Sequence, residues 1–463
     1  MSLEVFHSLQ RALGIPEPEP GQLEIAGADP LLATRFRAGE AAAAVLAATG
    51  LASSELWRLR GGRPQRVRVE VTGAAASLLG FAYQRLDVPT AAGAATLEPR
   101  AILTDFYPTR DGQWFLFHQS FPDTQAKALA LLGCGAEKPE LAARIAGWDA
   151  QALEEAFAEH GLCGARVRSA DEWAAHAQGI ALAARPLVEV IRIGDAPPEP
   201  LPAAARPLAG IRTLDLTRVL AGPTCGRTLA AHGADVLRIG SPKLPFVPAF
   251  VMDTSHGKRS AYLDLDDPAD AARLRELVKG ADVFAQGYRS GALARRGFGP
   301  EDLCALRPGL VYTAINCYGH VGPWVERPGW EQLAQTVTGI AAEQGGAAGP
   351  RLLPGAATDY NTGYLAALGT MIALARRARE GGSWLVRASL SQTGMWLSRL
   401  PRCDSPGPGL DVAEVSPFLT ASDTPFGRLA HLGPVLEMSE TAPRWTLPTV
   451  PLGTHRAEWA VAR

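Results

Sequence analysis

From residue 211 onward, short apolar segments alternate with segments of helical periodicity, and this alternation limits the chain to few folds. IRTLDLT at 211–217 predicts a buried strand, AGPTCGRTLAAHG at 221–233 a helix, and ADVLRI at 234–239 a second strand. The pattern continues through strands predicted at 260–265, 281–287 and 310–319 and a helix at 267–280. Strands that alternate with helices form parallel sheets, which bind ligands beyond the carboxyl ends of their strands. We therefore expect an α/β fold with a doubly wound, Rossmann-like parallel sheet.

A proline-rich stretch, Asp195 to Pro207, separates this region from the residues before it. Proline lacks an N–H and fixes φ, so the stretch continues neither a helix nor a central strand. Upstream of it, FYPTRDGQWFLFHQSFP at 106–122 predicts a hairpin that turns at Asp111 and Gly112, a pair that tolerates positive φ. Segments of helical pattern follow the hairpin, so we expect a smaller α+β domain here. His118 is interpreted as a packed strand residue.

Two distant segments of the chain share one pattern, which indicates an internal repeat. Thr34–Phe81 aligns with Thr358–Leu400, and in this alignment Asp359 faces Arg35. A chance likeness of two alanine-rich helices followed by strands is the alternative. The predicted organisation is an N-terminal extension at 1–33, a partial first copy that contains the small α+β domain at 34–194, a linker at 195–206, the ligand-binding sheet domain at 207–400, and a proline-rich tail at 401–463.

The bulk composition is that of a globular chain without a strong overall charge. The chain has 463 residues, of which 47% are hydrophobic, so it is long enough to bury substantial cores. Its net charge of -2 provides no field that would attract nucleic acid or an anionic membrane. Every apolar run is shorter than the roughly 20 residues that span a bilayer, and the N-terminus lacks the pattern of a signal peptide. We expect a cytoplasmic protein that binds neither nucleic acid nor membrane.

The cysteines suggest neither a disulfide framework nor a metal site. They are scattered, with no C-x-x-C pair and no histidine at ligand spacing. Buried thiols are the expected state, and a catalytic cysteine remains a minor alternative. The six are Cys134, Cys163, Cys225, Cys304, Cys317 and Cys403.

Several motifs beyond the linker resemble those of the family III CoA-transferases, the CaiB/BaiF family, in order and spacing. They are PLAGIRTLDLTRVLAGP at 207–223, HGADVLRI at 232–239, GKRSAYLDLDDP at 257–268, ADVFAQGYRSGALARRGFG at 281–299, LRPGLVYTAINCYGHVGP at 306–323 and RPGWEQLAQTVTG at 327–339. This family includes formyl-CoA and carnitine CoA-transferases and α-methylacyl-CoA racemases. A segment at 171–190 resembles the end of the family's small domain but precedes the sheet domain here, so the order looks permuted or fused. The resemblance implies an interlocked homodimer.

The resemblance also implies coenzyme A as the ligand, carried by an acyl-CoA substrate, with no metal. Phosphate groups need donors and positive charge at the end of a parallel sheet. Six basic residues are expected in loops or first turns after strands: Arg218, Lys258, Arg259, Arg289, Arg295 and Arg296. Solvated surface arginines are the alternative for each of them singly. The loop after the first strand adds Val219, Leu220 and Ala221 to the predicted CoA site, and the motif at 327–339 adds Trp330. No dinucleotide or P-loop fingerprint is present.

Asp359, in TDYNTG before a helix predicted at 363–377, is the predicted nucleophile. From the residues alone, an aspartate at this position reads as an ordinary helix N-cap. By resemblance, it aligns with the aspartate that carries the family's chemistry, and the Asn-Thr-Gly after it also matches. A covalent relay through a carboxylate suits a near-thermoneutral exchange of thioesters. We expect N–H groups at the start of this helix to stabilise the oxyanions.

Three other functions are alternatives to CoA transfer. A racemase needs an acid and a base on the two faces of the α-carbon, and Trp330 stands where the racemases carry a histidine. A noncatalytic, degenerate CoA-binding protein would explain Arg35 and Gly240-Ser241, which stands where the family often has Glu and a basic residue. A nicotinamide oxidoreductase lacks its glycine fingerprint. An acyl-CoA:carboxylate CoA-transferase is therefore the leading prediction.

Overall fold

The structure is a computed structural model that describes residues 2–87 and 103–460. Its strands, in chain order, are β1 Leu23–Ala26, β2 Val67–Glu70, β3 Arg85–Leu86, β4 Asp105–Pro108, β5 Trp114–Phe117, β6 Gly164–Arg166, β7 Glu189–Gly194, β8 Arg212–Leu216, β9 Asp235–Gly240, β10 Lys258–Tyr262, β11 Val283–Gln286, β12 Val311–Asn316, β13 Ser383–Ser389, β14 Leu419–Thr424, β15 Gly427–Leu432 and β16 Leu436–Met438.

The α-helices of the same residues, in chain order, are α1 Ser2–Leu13, α2 Ala38–Leu59, α3 Val71–Ser77, α4 Pro122–Leu132, α5 Lys138–Ile145, α6 Ala150–Glu159, α7 Ala170–Ala175, α8 Ala177–Ala183, α9 Ala221–Ala231, α10 Pro248–Thr254, α11 Pro268–Lys279, α12 Pro300–Leu306, α13 Glu331–Val337, α14 Ile340–Gly345, α15 Ala357–Glu380, α16 Leu390–Arg399 and α17 Val412–Val415. None of them is long and apolar enough to cross a membrane.

A seven-stranded sheet forms the centre of the molecule, in the order β10-β9-β8-β11-β12-β13-β7. All neighbouring pairs are parallel except β13 with β7, which is antiparallel. The predicted α/β fold with a doubly wound parallel sheet is confirmed, and the strands and helices predicted between 211 and 319 are present. The edge strand β7 was not predicted, because its residues directly precede the proline-rich stretch that reads as a boundary.

The strand order reverses direction between β8 and β11, and this reversal determines where a ligand has room. Successive strands are added outward from β8 on one side and outward from β11 on the other, so the loops that leave these two strands diverge. A crevice therefore opens beyond their carboxyl ends. Helices that precede a parallel strand start at this same edge, which places the first residues of α9 and α15 beside the crevice.

The two segments of the internal repeat have the same order of elements. The first runs through α2, β2 and α3, and the second through α15, β13 and α16. The long helices α2 and α15 pack against each other and share one hydrophobic core with α9. The halves of the chain thus meet through their equivalent helices.

Residues 105–166 form a smaller α+β unit, as expected. Strands β4, β5 and β6 make an antiparallel sheet, and α4, α5 and α6 cover it around Phe115, Phe117 and Phe157. The predicted hairpin is present, and Gly112 at its turn has a φ of 71°. Burial of these aromatic rings gives the unit a core of its own.

The C-terminal residues join parts of the molecule that are far apart in sequence. β15 pairs with β3, and β16 pairs with β2 of the first copy. Further along, the Trp445 indole N–H donates to the carbonyl oxygen of Arg227 on α9 at 3.1 Å. The chain after residue 401 thus contacts both the first copy of the repeat and helix α9 of the sheet domain.

Candidate functional site

Asp359 lies in the first turn of α15, at the carboxyl edge of the central sheet. The helix begins at Ala357 rather than at the predicted residue 363, and Ala356 is its N-cap. Asp359 is therefore not the cap of its helix, and the N-cap interpretation of this residue is wrong. Its side chain is 6% exposed, and its carboxylate accepts no hydrogen bond from any of the described residues. A buried carboxylate without a donor is poorly stabilised in its ionised form.

Glu331, at the start of α13, supplies the acceptor that the beginning of α15 lacks. One oxygen of Glu331 accepts from the backbone N–H of Thr358 at 3.0 Å and from the Gln335 amide at 2.6 Å. The other oxygen accepts from the Thr358 hydroxyl and the backbone N–H of Asp359. Because Glu331 occupies these two helix N–H groups, neither is free in this structure to bind an oxyanion.

Two buried carboxyl groups thus stand beside each other at the site. Burial, followed by the charge of Glu331, raises the pKa of Asp359 well above its usual value. Burial also raises the pKa of Glu331, and the hydrogen bonds it accepts oppose that shift. Perturbed carboxyl pairs of this kind are typical of functional sites. Sequence reasoning missed Glu331, although it belongs to the motif at 327–339.

The loop after β8 comes within one helical turn of Asp359. A β-carbon on Gly363, four residues after Asp359, would lie 2.4 Å from the carbonyl oxygen of Ala221. Only glycine permits this approach of α15 to the start of α9. In the same loop, Val219 has a φ of 66°, an uncommon conformation for a β-branched residue. Leu220 is buried and is the N-cap of α9. The structure thus brings Val219, Leu220 and Ala221 to the site of Asp359.

A cleft opens beside this loop. Arg218 and Val219 form one wall, and Arg238 at the end of β9 contributes a second cation. Phe246 also lines the cleft, and its side chain is 51% exposed. An exposed aromatic ring beside two guanidinium groups suits a ligand with an aromatic base and phosphates. Sequence reasoning missed both residues, because Arg238 lies inside β9 and Phe246 is a single aromatic residue in the loop that follows it.

Three further arginines lie on the surface after β11. The Arg289 guanidinium donates to the carbonyl oxygen of Gly161 in the small unit at 2.9 Å. Arg296 pairs with Asp266 at 2.6 Å. The Arg295 guanidinium has no acidic partner within the described residues, so it is the one of these three that is available to a phosphate.

Lys258 and Arg259 are placed elsewhere, and the expectation that they fall in a loop is wrong. Both lie at the beginning of β10, whereas the crevice lies beyond the ends of the strands. Lys258 has no exposed side-chain surface, and its ammonium group contacts Asp215 at 2.6 Å. Arg259 pairs with Asp235 at 2.8 Å. Strand β10 begins at Lys258, two residues earlier than predicted. Lys258 can lie in the core because its charge is paired with that of Asp215.

Trp330 connects the small unit with the site. It directly precedes Glu331, and its ring stacks on His118 with the centroids 6.4 Å apart. Phe121 meets Trp330 edge-on at 5.8 Å and lies under the Arg218 guanidinium at 5.5 Å. His118 is buried, as predicted, and burial lowers its pKa to about 4, so its ring is neutral at pH 7. The small unit therefore covers the site within the same chain.

Within the residues that the structure describes, neither the cysteines nor a metal-binding cluster marks a second centre. The six cysteines are free thiols, and all except Cys134 are buried. In the described chain, residues 2–87 and 103–460, no cluster of three or more His, Cys, Asp or Glu side chains is placed to hold a metal ion.

Comparison with known proteins identifies the class to which this architecture belongs. The family model described as CoA-transferase family III matches residues 19–203 and 208–409, which is most of the chain. An acyl-CoA transferase of Gibberella moniliformis (strain M3125 / FGSC 7600) is 34% identical over 416 residues, covering 76% of this chain and 73% of that protein. The chain belongs to CoA-transferase family III.

Other relatives match over a shorter length. The acetyl-coenzyme A transferase nodX of Hypoxylon pulicicidum is 34% identical over 331 residues, covering 65% of this chain and 55% of that protein. The crystal structure of a CAIB/BAIF family protein from Brucella suis has 30% sequence identity and a TM-score of 0.39, covering 42% of this chain and 55% of that chain. This chain thus spans about half the length of these two proteins.

Proposed function

We propose that the protein is an acyl-CoA:carboxylate CoA-transferase with Asp359 as its nucleophile. The observation that carries the proposal is the Asp359 carboxylate itself. It is buried at the carboxyl edge of the sheet, free of hydrogen-bond donors, and one helical turn from the start of α9. A carboxylate that accepts no hydrogen bonds keeps its electron pairs available for attack on a carbonyl carbon.

The transfer proceeds in four steps, in which every bond broken is balanced by one formed. An Asp359 oxygen attacks the acyl-CoA carbonyl carbon, and the C–S bond breaks to give a mixed anhydride and CoA thiolate. The thiolate attacks the Asp359 carbonyl carbon and releases the first carboxylate, leaving an aspartyl-CoA thioester. The acceptor carboxylate then expels CoA thiolate and forms a second anhydride. Attack of the thiolate on the acceptor carbonyl releases the new acyl-CoA and restores Asp359.

Two backbone groups are suited to stabilise the oxyanions of these steps. The N–H groups of Ala221 and Gly222 form no hydrogen bond to any described residue. They begin α9, where the helix dipole favours negative charge, and the start of this helix packs one turn from Asp359. In this role they take the place of the N–H groups of Thr358 and Asp359, which already donate to Glu331.

CoA is proposed to lie in the cleft beside β8 and β9. Arg218, Arg238 and Arg295 are the cations available to its phosphates, and Phe246 offers a surface for the adenine. Trp330 and Phe121 face this region from the other side and would restrict the acyl group. A small carboxylic acid is the proposed acceptor. A cytoplasmic location and a homodimeric assembly remain predictions.

Trapping of the aspartyl intermediate tests the proposal. The protein is incubated with a panel of acyl-CoA thioesters, treated with borohydride or hydroxylamine, and analysed by peptide mass spectrometry. We expect a modification at Asp359 in the wild-type protein and none in Asp359→Asn, whose amide is not a nucleophile. Asp267→Asn, at the start of α11, should keep both the adduct and the activity. Full CoA-transferase activity in Asp359→Asn would contradict the proposal.

A further inference from the structure

A buried polar network reaches the residue that follows Asp359 and takes no part in the proposed chemistry. The side chain of Tyr360 is fully buried. Its hydroxyl donates to one oxygen of Asp253 at 2.8 Å and accepts from the backbone N–H of Phe81 at 3.2 Å. Burial and the charge of Asp253 hold the pKa of Tyr360 well above its usual value, so the hydroxyl retains the proton that it donates.

The other oxygen of Asp253 holds a buried arginine. The Arg227 guanidinium donates to it at 2.6 Å and, through the same nitrogen, to the Asp253 carbonyl oxygen at 3.0 Å. The two side chains are 8% and 3% exposed. A buried ion pair is tolerated only when its geometry is well satisfied, so this pair fixes the position of Asp253 closely. We call these three residues the Arg227–Asp253–Tyr360 network.

The network joins the helix of the nucleophile to a wall of the proposed CoA cleft. Asp253 lies near the end of α10, and Phe250 and Val251 of the same helix line the cleft together with Arg218. Phe81 packs edge-on against Phe250, with the ring centroids 5.1 Å apart. A displacement of α10 would therefore act on Tyr360 through Asp253.

The surroundings leave the network little freedom to move. A β-carbon on Gly80 would lie 3.0 Å from an oxygen of Asp253 and 3.4 Å from the Tyr360 hydroxyl. The Arg227 guanidinium also lies over the Tyr360 ring at 5.7 Å. Close packing on several sides gives the first turn of α15 one defined position relative to α10.

We propose that Tyr360 is a positioning residue for CoA transfer. Through Asp253 and Arg227 it fixes the first turn of α15 relative to the cleft, so that the Asp359 carboxylate stands at attacking distance from the thioester carbon. The proposal rests on the proposed function. Small displacements of a nucleophile are costly because reaction requires contact of the reacting atoms along a defined direction.

The test is Tyr360→Phe, which removes the hydroxyl and keeps the ring. We expect kcat for CoA transfer to fall at least tenfold while KM for acyl-CoA changes less than twofold. The rate of aspartyl adduct formation in a single turnover should fall by the same factor. The matched control is Tyr312→Phe, which removes a buried hydroxyl that donates to the Phe298 carbonyl oxygen at 3.1 Å in another core. This control should keep kcat.

A second variant tests whether Asp253 and Tyr360 act as one link. Asp253→Asn should lower kcat. The double variant Asp253→Asn/Tyr360→Phe should have a kcat no lower than that of the more impaired single variant, because both changes break the same hydrogen bond. A Tyr360→Phe enzyme with kcat within twofold of wild type, or an equal loss in Tyr312→Phe, would overturn the inference. Failure of the proposed function would look different, since the wild-type protein itself would then form no adduct.

Discussion

Asp359 and Glu331 form the chemical centre of the candidate site, and they influence each other in two ways. The Glu331 carboxylate accepts the N–H groups at the start of α15 and so orients the backbone of Asp359. Its charge also raises the pKa of Asp359. Since the proposed nucleophile must be ionised to attack, activity should increase as the pH rises through this raised pKa.

Glu331→Gln tests this electrostatic link. Removal of the charge lowers the pKa of Asp359, so the acidic limb of the kcat/KM profile should move to lower pH. The plateau of kcat should fall by roughly tenfold, equivalent to about 1.4 kcal/mol, because glutamine has one acceptor oxygen for two N–H groups. The measurements are kcat and kcat/KM as functions of pH. Glu343→Gln, an exposed glutamate paired with Arg402 at 2.6 Å, is the control and should leave the profile in place. An unchanged profile in Glu331→Gln would refute the link.

The sequence indicates a role for some of these residues and not for others. Asp359 stands out because TDYNTG resembles a known catalytic motif. Glu331 was missed because its role depends on α13 meeting the start of α15, a contact between residues 27 or more positions apart in the chain. The sequence also did not reveal that Lys258 is buried, because two adjacent basic residues such as Lys258 and Arg259 are typical of an exposed surface.

A fully buried ion pair joins two strands of the central sheet. Lys258 at the beginning of β10 reaches Asp215 on β8, across β9, and neither side chain has exposed surface. Its ammonium group also donates to the Pro223 carbonyl oxygen at 2.7 Å. Burial lowers the pKa of Lys258 to about 8, and Asp215 opposes that shift. The pair therefore links two strands and the start of α9.

Lys258→Met should destabilise the protein by about 3–5 kcal/mol, because it leaves the Asp215 charge buried without its partner. Chemical denaturation with urea measures this change. Lys279→Met is the matched control: it breaks an exposed pair with Glu276 and should cost less than about 0.5 kcal/mol. Equal stability of the two variants would show that the buried pair contributes little.

The elements themselves were predicted with uneven success for a physical reason. Strands with continuous apolar residues, such as β8, β9 and β12, are buried on both faces, and their composition shows this. β14 and β16 in the tail have a mixed composition and owe their structure to pairing with β15 and β2. The partner of β16 is remote in sequence, so no local pattern reveals that strand.

The whole molecule depends on contacts between its two halves. α2 packs along α15, β2 pairs with β16, and the small unit covers Trp330. Each of these contacts joins residues before the linker to residues after it. The sheet domain by itself would expose the apolar face that α2 covers.

Residues 206–463 expressed alone should therefore be insoluble or inactive. The fragment would lose the α2 contact along α15 and the partner strand of β16, and the exposed apolar surface favours aggregation. Yield in the soluble fraction and CoA-transferase activity are the measurements. Co-expression with residues 1–205 is the control, and it should restore both. A soluble and active fragment would contradict the interdependence of the halves.

The sequence alone determined the central sheet and the small α+β unit, and it predicted Asp359 as the nucleophile, because apolar periodicity and short motifs are local properties of the chain. The tertiary structure decided which groups surround Asp359. Glu331 comes from α13 and hydrogen-bonds to the backbone of Asp359, and Ala221 at the start of α9 lies against Gly363, one helical turn further along α15. These contacts arise from the packing of elements far apart in sequence, so the electrostatic environment of the proposed nucleophile exists only in the folded molecule.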